Sequence, residues 1–213
     1  MSYQSTFTGV QIDAAVTAVT DRRFGGATDY TSFDADGTIQ YNGAATVFDD
    51  CAVDLGAIKP PASGPPTYTA YKGSEVATFS ASATNTLNFR IQVPHSYKEG
   101  SDIFCHFHAA YPNGNSGNSR WQLSYSWANV DTAFPTATTI LATFAAPAVT
   151  DKSVIHNFGT ISGAGKTISS VLLMSLARLG ADGADTYASV IYGTSADIHF
   201  EKNTEGSRTE YTK

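Results

Sequence analysis

Apolar and polar residues alternate one by one over long stretches of the second half of this sequence. The two clearest stretches are residues 87–93 (LNFRIQV) and residues 121–127 (WQLSYSW). Alternation with a period of two places every apolar side chain of an extended segment on one face, so each stretch predicts a β-strand with one buried face. Shorter runs predict further strands at 103–108, 138–144, 154–158, 169–179, 187–192 and 196–201.

The apolar run at 169–179 fits a buried helix as well as a buried strand, because a short continuous run carries no clear period. The β character of its neighbours favours a strand. Strands with a single apolar face need a second sheet to cover that face. The pattern therefore predicts an all-β chain folded as an antiparallel β-sandwich, jelly-roll-like, with a short helix and an extended arm at its N-terminal side.

The helical period occurs at the start of the chain. Thr8 followed by Gln11 matches a capping box, and apolar residues then recur at the spacing of one helix face. About three helical turns are too short to be stable alone in water, so this stripe is expected to pack on something. It packs either on the rest of the chain or, as an oligomerisation or docking surface, on another copy or another protein. The stripe residues are Ile12, Ala15, Val16 and Val19.

Turn signals divide the remainder of the chain. Asp36-Gly37 predicts a tight hairpin turn within residues 33–41, and four prolines in residues 59–66 (KPPASGPP) predict a linker or crossing loop. We therefore expect an N-terminal arm with the short helix (1–22), an extended or hairpin segment with the proline-rich linker (23–70), the β-sandwich (71–202) and a polar, loose or partner-bound tail (203–213).

Composition excludes two classes of partner. Charged residues make up only 15% of the 213 residues, against about 25% in a typical protein. The net charge is −6 and no Lys/Arg cluster stands out, so nucleic-acid binding is not expected. The longest charge-free stretch, residues 132–150, is too polar to enter a bilayer. Without a secretory signal at the start, Cys51 and Cys105 are expected to be reduced, buried thiols.

Three histidines are candidate metal ligands. His106 and His108 are two residues apart in a predicted strand, so both imidazoles point to the same face. His199, in another predicted strand, is a candidate third ligand of a shared ion. His95 and Cys105 are further candidates, although Cys105 points to the opposite face of its strand. The simpler interpretation is that these histidines hydrogen-bond within a polar layer of the sheet. Both interpretations stay open at the level of sequence.

A second candidate site is the Gly- and Asn-rich loop around residues 111–120. Loops carry many binding residues, so this loop is a candidate for contacting a glycan or a protein partner. The aromatic residues Trp121, Tyr125 and Trp127 resemble a sugar-stacking platform, but their alternation with polar residues fits core packing better. The loop residues proposed for ligand contact are Tyr111, Asn113, Asn115 and Arg120.

Catalytic patterns are not evident. The segment 162–167 (SGAGKT) resembles the end of a phosphate-binding loop, but Thr160 occupies the position where that motif requires glycine. A glycine-rich hairpin loop is the better interpretation. No nucleophile elbow and no paired carboxylates within an apolar strand are found. We therefore expect a protein that is not an enzyme and that needs no cofactor.

Several segments together are similar to known bacteriophage proteins. Residues 8–16 resemble a "tGaqIDaav" segment near the start of many tailed-phage fibre, spike and head-fibre proteins. Residues 94–108, 121–135, 178–187 and 197–208 resemble a family of mostly uncharacterised small virion proteins. The resemblance implies a β-sandwich fold and a structural role in the particle, and it supplies no catalytic residue.

The resemblance also sets expectations for partners and location. It implies a virion structural protein (decoration, head-fibre, collar or tail-fibre component), made in the host bacterial cytoplasm and forming a homo-oligomer, expected to be a homotrimer. Its other partners would be further virion proteins. The alternative is a lectin-like β-sandwich module that binds a carbohydrate or receptor on the host surface.

Overall fold

A computed structural model describes residues 23–213, and the regular secondary structure of these residues is almost entirely β. For these residues, the prediction of an all-β fold is confirmed. The predicted N-terminal helix, with Ile12, Ala15, Val16 and Val19, lies outside the described residues. The strands are β1 (Arg23–Gly25), β2 (Tyr30–Phe33), β3 (Ile39–Asn42), β4 (Val47–Asp54), β5 (Thr67–Tyr71), β6 (Ser74–Phe79), β7 (Thr84–Gln92), β8 (Ile103–Tyr111), β9 (Asn118–Ala128), β10 (Thr138–Ala145), β11 (Lys152–Ile161), β12 (Val171–Leu179) and β13 (Ile191–Lys202).

Two antiparallel sheets form a sandwich. One has four strands in the order β10-β9-β12-β7. The other has six, in the order β11-β8-β13-β6-β5, with β4 also pairing with β13. A separate three-stranded sheet, β1-β2-β3, precedes the sandwich, and we call residues 23–46 the arm sheet. Two short 3-10 turns, Gly43–Ala45 and Leu55–Ala57, flank β4.

The core lies between the two sheets and is built from the alternating residues. In β7, Leu87, Phe89 and Ile91 face inwards, while Asn88 and Arg90 face solvent. Burial of the inward residues provides the main stabilisation, at about 25 cal/mol per Å² of apolar surface. The other large buried residues include Ile103, Phe107, Leu123, Leu172, Met174, Leu176, Ile198 and Phe200.

The two tryptophans belong to this core. Trp121 and Trp127 are almost completely buried, and their indole N–H groups donate to the hydroxyls of Ser119 and Ser170, at 2.9 and 2.8 Å. Each buried indole thus has the hydrogen-bond partner that it needs. Core packing, rather than a sugar platform, is confirmed for these two residues.

The last strand differs from the prediction. Instead of separate strands at 187–192 and 196–201, a single strand β13 runs through both regions, with an irregular register between Gly193 and Ser195. Gly193 lies under two aromatic rings, and a Cβ there would be 2.8 Å from Phe79 and 3.0 Å from Phe107. Tyr187 precedes the strand, in a loop, and is fully buried.

The predicted boundaries also shift. The hairpin around Asp36-Gly37 is confirmed, with Gly37 at a φ of 87°. However, β4 and β5 are strands of the six-stranded sheet, so the sandwich begins at Val47 and not at residue 71. The proline-rich residues 59–66 connect β4 to β5. The pairing of β4 with β13 joins residues that are far apart in the sequence, so the local pattern of apolar residues did not predict it.

The first part of the C-terminal tail is packed, in contrast to the prediction of a loose or partner-bound tail, whereas residues 208–213 are exposed. Thr204 is buried, and its hydroxyl donates to the Ile39 carbonyl at 2.8 Å. The Ser207 hydroxyl is 2.8 Å from His95 Nδ1. These contacts fasten the tail to both the arm sheet and the sandwich. Residues 23–213 contain no helix with the length and apolarity that crossing a membrane requires.

Candidate functional site

The outer face of the six-stranded sheet carries a cluster of histidines and carboxylates, which we call the histidine face. It consists of Asp50, His106, His108, Asp197 and His199. In the sheet register, His199 is opposite Asp50 on β4, and Asp197 is opposite His106 on β8. Three adjacent strands therefore contribute to one patch.

Strand alternation explains why these side chains point outwards. On β8, Cys105 and Phe107 face the core, so His106 and His108 face the opposite side. On β13, Ile198 faces the core, which turns Asp197 and His199 to the same outer face as the β8 histidines.

Asp197 is the buried centre of the histidine face, with only 2% of its surface exposed. Its Oδ2 is hydrogen-bonded to His108 Nε2 at 2.6 Å. Its Oδ1 is 3.1 Å from His106 Nδ1, but within residues 23–213 this oxygen makes no hydrogen bond. Burial raises the pKa of the Asp197 carboxyl, against the opposing effect of the His108 hydrogen bond.

His199 is held from two sides. Its Nδ1 is 2.7 Å from Asp50 Oδ1. The ring stacks on Phe48, with centroids 4.6 Å apart and an interplanar angle of 7°. The centroid of the His106 ring is 5.4 Å away on the other side. These contacts fix the His199 ring next to His106.

One ligand atom each from Asp50, His106 and His199 lie within 4.8 Å of one another. The structure thus brings together two of the three histidines predicted from sequence, His106 and His199. His108 lies on the same face but is turned towards Asp197. Sequence reasoning missed Asp50 and Asp197. The Asp197-Ile198-His199 spacing was an available signal, because residues two apart in a strand share a face.

The loop residues proposed for ligand contact are engaged within the protein. Tyr111 is completely buried, and burial raises the pKa of its hydroxyl to about 12, so it is a core residue and not a ligand contact. Asn113 accepts the Tyr187 hydroxyl at 2.9 Å. Asn115 and Arg120 donate to Ser189 and Thr143.

A buried ion pair at this end of the sandwich was also missed by the sequence analysis. The side chains of Arg178 and Asp185 are both fully buried, and the guanidinium donates from Nε and Nη2 to the two carboxylate oxygens at 2.9 and 2.8 Å. Its other N–H groups donate to the carbonyls of Phe79, Tyr187 and Ser189. We call this group the arginine lock, because it holds the loop before β13.

The outer face of the four-stranded sheet forms a shallow trough of about 470 Å³. Hydroxyl and amide side chains and one arginine provide its polar groups, and the rest of the lining is Phe89, Tyr125, Ala137, Leu173 and Met174. Arg90 makes no ion pair and no side-chain hydrogen bond within residues 23–213. The polar residues of the trough are Asn88, Arg90, Ser124, Ser126 and Ser175.

The sequence matches no protein-family model, and no curated protein matches it. Among solved structures, latent PorU from Porphyromonas gingivalis overlaps 84% of this chain at a TM-score of 0.37 and 11% identity. An arabinose-bound α-L-arabinofuranosidase, MgGH51, overlaps 88% at 0.32 and 12%. The chain spans only 14% and 24% of the lengths of these two proteins.

A third solved structure is CBM28, a carbohydrate-binding module specific for non-crystalline cellulose. It overlaps 70% of this chain and 80% of its own length, at a TM-score of 0.29 and 7% identity. The overlap of all three structures with this chain is loose, so it carries no argument about what the chain binds.

Proposed function

We propose that this chain is a non-catalytic structural subunit of a bacteriophage particle, and that it assembles with further copies of itself through the arm sheet. The observation that carries the proposal is the exposure of that sheet to solvent. No residue between positions 23 and 46 is buried in the single chain. The phage resemblance of residues 8–16 and 94–208 supplies the particle as the setting.

Two aromatic residues make the arm sheet apolar on its surface. Phe24 is 69% exposed and Phe33 is 39% exposed, and their rings meet edge to face at 6.0 Å. An isolated small sheet without a buried face is marginally stable in water, and exposed aromatic pairs are typical of contact surfaces. A second copy would provide the missing cover.

The arm sheet is joined to its own sandwich mainly by polar contacts. The Tyr41 N–H donates to the Asn203 carbonyl at 2.8 Å, and Arg208 is 3.1 Å from Asp36. An exposed ion pair such as Arg208–Asp36 positions a segment but adds little stability. The apolar surface of Phe24 and Phe33 thus stays available for assembly, and a homotrimer is the state implied by the resemblance.

Light scattering coupled to size exclusion tests the assembly, over a concentration series of the full chain. We expect a trimer mass for the natural sequence, and a shift towards monomer for the double variant Phe24→Ser/Phe33→Ser. Burying a Phe side chain contributes about 1.5–3 kcal/mol, so the dissociation constant should rise at least tenfold.

The matched control is Phe134→Ser, which removes an exposed Phe between β9 and β10. This variant should keep the mass of the natural chain. A monomer at all concentrations, or a double variant with an unchanged mass, would contradict the proposal. Absence of the chain from purified particles of the phage that encodes it would contradict the virion role.

A second candidate function is glycan binding in the trough of the four-stranded sheet. The observation that favours it is Arg90, a cation without a partner in the described part of the chain, next to the amide of Asn88 and the hydroxyl of Ser175. These groups suit the hydroxyls and carboxylates of acidic sugars. The loop around Asn115 is less suitable, because its side chains are engaged internally.

A glycan array separates the two locations. If the trough binds sugar, the double variant Asn88→Ala/Arg90→Ala loses the signal and Asn115→Ala keeps it. If Asn115→Ala loses the signal and the double variant keeps it, the loop and not the trough binds the sugar. An array without any signal for the natural chain would remove glycan binding and leave the structural role alone.

A further inference from the structure

We propose that Asp50, His106 and His199 bind a divalent transition-metal ion, with Zn²⁺ as the best fit. This site is independent of the assembly proposal, since it lies on the sandwich and needs no second copy. It contains two of the three histidines that the sequence offers as candidate ligands, together with one carboxylate.

The ligand types select the class of metal. Two imidazole nitrogens and one carboxylate oxygen form a ligand set that zinc commonly uses in proteins. Calcium and magnesium prefer oxygen ligands throughout, so they fit this set poorly. Copper and nickel also bind imidazole, and the preference among transition metals then depends on geometry and supply.

The geometry places the three groups close to coordination distance. Their ligand atoms lie within 4.8 Å of one another, whereas ligands about 2.0–2.2 Å from zinc are roughly 3–4 Å apart. Side-chain movements of a few tenths of an ångström to 1 Å would close the site. Ions can reach it, because the Asp50 side chain is 57% exposed and the His199 side chain 33%.

Asp197 provides an independent reason to expect a cation here. Its buried Oδ1 is directed at His106 Nδ1 and makes no hydrogen bond in the described structure. A carboxylate next to one ring nitrogen is a common outer partner of a metal-bound histidine, because it orients the ring and leaves the other nitrogen for the ion. Asp197 would be such a positioning residue for His106.

The ion would add a direct link among three neighbouring strands. Asp50 is on β4, His199 on β13 and His106 on β8. Among the described strands, β4 pairs with β13 alone and leads directly back to the arm sheet. A metal at this position would therefore clamp the strand that carries the arm to the centre of the six-stranded sheet.

Calorimetric titration of the chelator-treated full chain with ZnCl₂ tests the site, with Co²⁺ absorption as a second readout. We expect saturation at one ion per chain and bands of nitrogen- and oxygen-ligated Co²⁺. Zinc at about 100 times its dissociation constant should raise the melting temperature by about 5–10 °C.

Single substitutions identify the ligands. Asp50→Asn, His106→Gln and His199→Gln should each weaken binding by more than the roughly 10–100-fold that loss of an outer partner causes. His108→Gln is the matched control, because glutamine can still donate to Asp197, and it should bind zinc nearly as the natural chain does. His95→Gln controls for binding elsewhere.

Three results would overturn the proposal. These are binding that does not saturate at one equivalent, binding that survives all three ligand substitutions, and a loss in His108→Gln as large as in His106→Gln. Melting curves without metal show whether each variant is folded. Asp50→Asn is decisive in this respect, since an exposed carboxylate on an edge strand contributes little to folding.

Discussion

The sandwich buries charge in two places, and it does so in different ways. In the arginine lock, the fully buried Arg178 has a carboxylate or carbonyl acceptor for each of its donor nitrogens. In the histidine face, Asp197 is almost as buried, yet one of its carboxylate oxygens makes no hydrogen bond within residues 23–213. A fully paired buried charge holds the surrounding structure in place, whereas a partly paired one keeps an oxygen free to accept a further hydrogen bond.

The arginine lock explains why the loop between β12 and β13 is ordered. Asp185 also accepts the Arg120 N–H at 3.0 Å, so the loop is connected to β9 as well as to β12. The ring of Tyr187 lies under the guanidinium, with the Arg178 Cζ 5.7 Å from the ring centroid. The polar groups of the arginine lock are hydrogen-bonded to one another, and every donor nitrogen of Arg178 already has an acceptor within the protein.

The largest effect is expected from breaking the arginine lock. Arg178→Met leaves the buried Asp185 carboxylate without its cation, which costs about 3–5 kcal/mol of unfolding free energy. Urea denaturation at neutral pH measures this loss. Arg208→Met, which removes an exposed partner of Asp36, is the control and should cost less than about 1 kcal/mol. A loss below that of the control would contradict the structural role of the lock.

A second effect is expected from a buried histidine in the same sandwich. His156 is buried, its Nε2 is 3.0 Å from the Tyr111 hydroxyl, and its ring stacks on Phe144 at 4.2 Å. Burial lowers the pKa of His156 from 6.5 to about 4. Between pH 6.5 and pH 4, His156 is protonated in the unfolded chain but neutral in the native chain. The free energy of unfolding therefore falls as the pH falls.

The loss attributable to His156 is absent above pH 6.5 and complete near pH 4, where it reaches about 3 kcal/mol. Denaturant titrations between pH 7.5 and 4 measure it. In His156→Gln, which keeps an acceptor for the Tyr111 hydroxyl, this part of the pH dependence should disappear. An equally steep decline in the variant would show that other groups control acid unfolding.

The smallest effect is expected in the histidine face, at Asp197. Asp197→Asn keeps the shape of the side chain and removes a charge that is only partly paired, so we expect a loss of about 1–2 kcal/mol in metal-free protein. Asp185→Asn, the same change within the arginine lock, should cost more. Urea denaturation measures the loss of unfolding free energy in both variants. A larger loss in Asp197→Asn than in Asp185→Asn would contradict the difference proposed between the histidine face and the arginine lock.

The sequence was informative where the signal is local. Alternation predicted the strands around 87–93 and 121–127, and the neighbouring β-structure correctly favoured a strand for 169–179, since sheet faces impose a period of two on the residues themselves. The same rule placed His106 and His108 on one outer face. Pairing between distant strands leaves no comparable local mark, so the membership of β4 in the six-stranded sheet was not predicted.

The candidate site shows the same limit. His199 could be proposed from its strand, but Asp50 becomes its neighbour only through the register of β4 against β13. The arginine lock likewise depends on a loop that folds back over Arg178. Tyr111, by contrast, was assigned to a loop, although it is the last residue of β8 and faces the core.

The position of β13 has a consequence for how the chain is made. This strand lies between β8 on one side and both β6 and β4 on the other. Asp54 on β4 pairs with Ser195, which is far away in the sequence. Until the ribosome has released residues 191–202, the six-stranded sheet lacks its middle, and β4 has no strand to pair with. Pairing over such long sequence separations is slow, and a nascent chain with unpaired strand edges is prone to aggregation. Closure of the six-stranded sheet therefore has to follow the synthesis of β13, the last strand of the described residues.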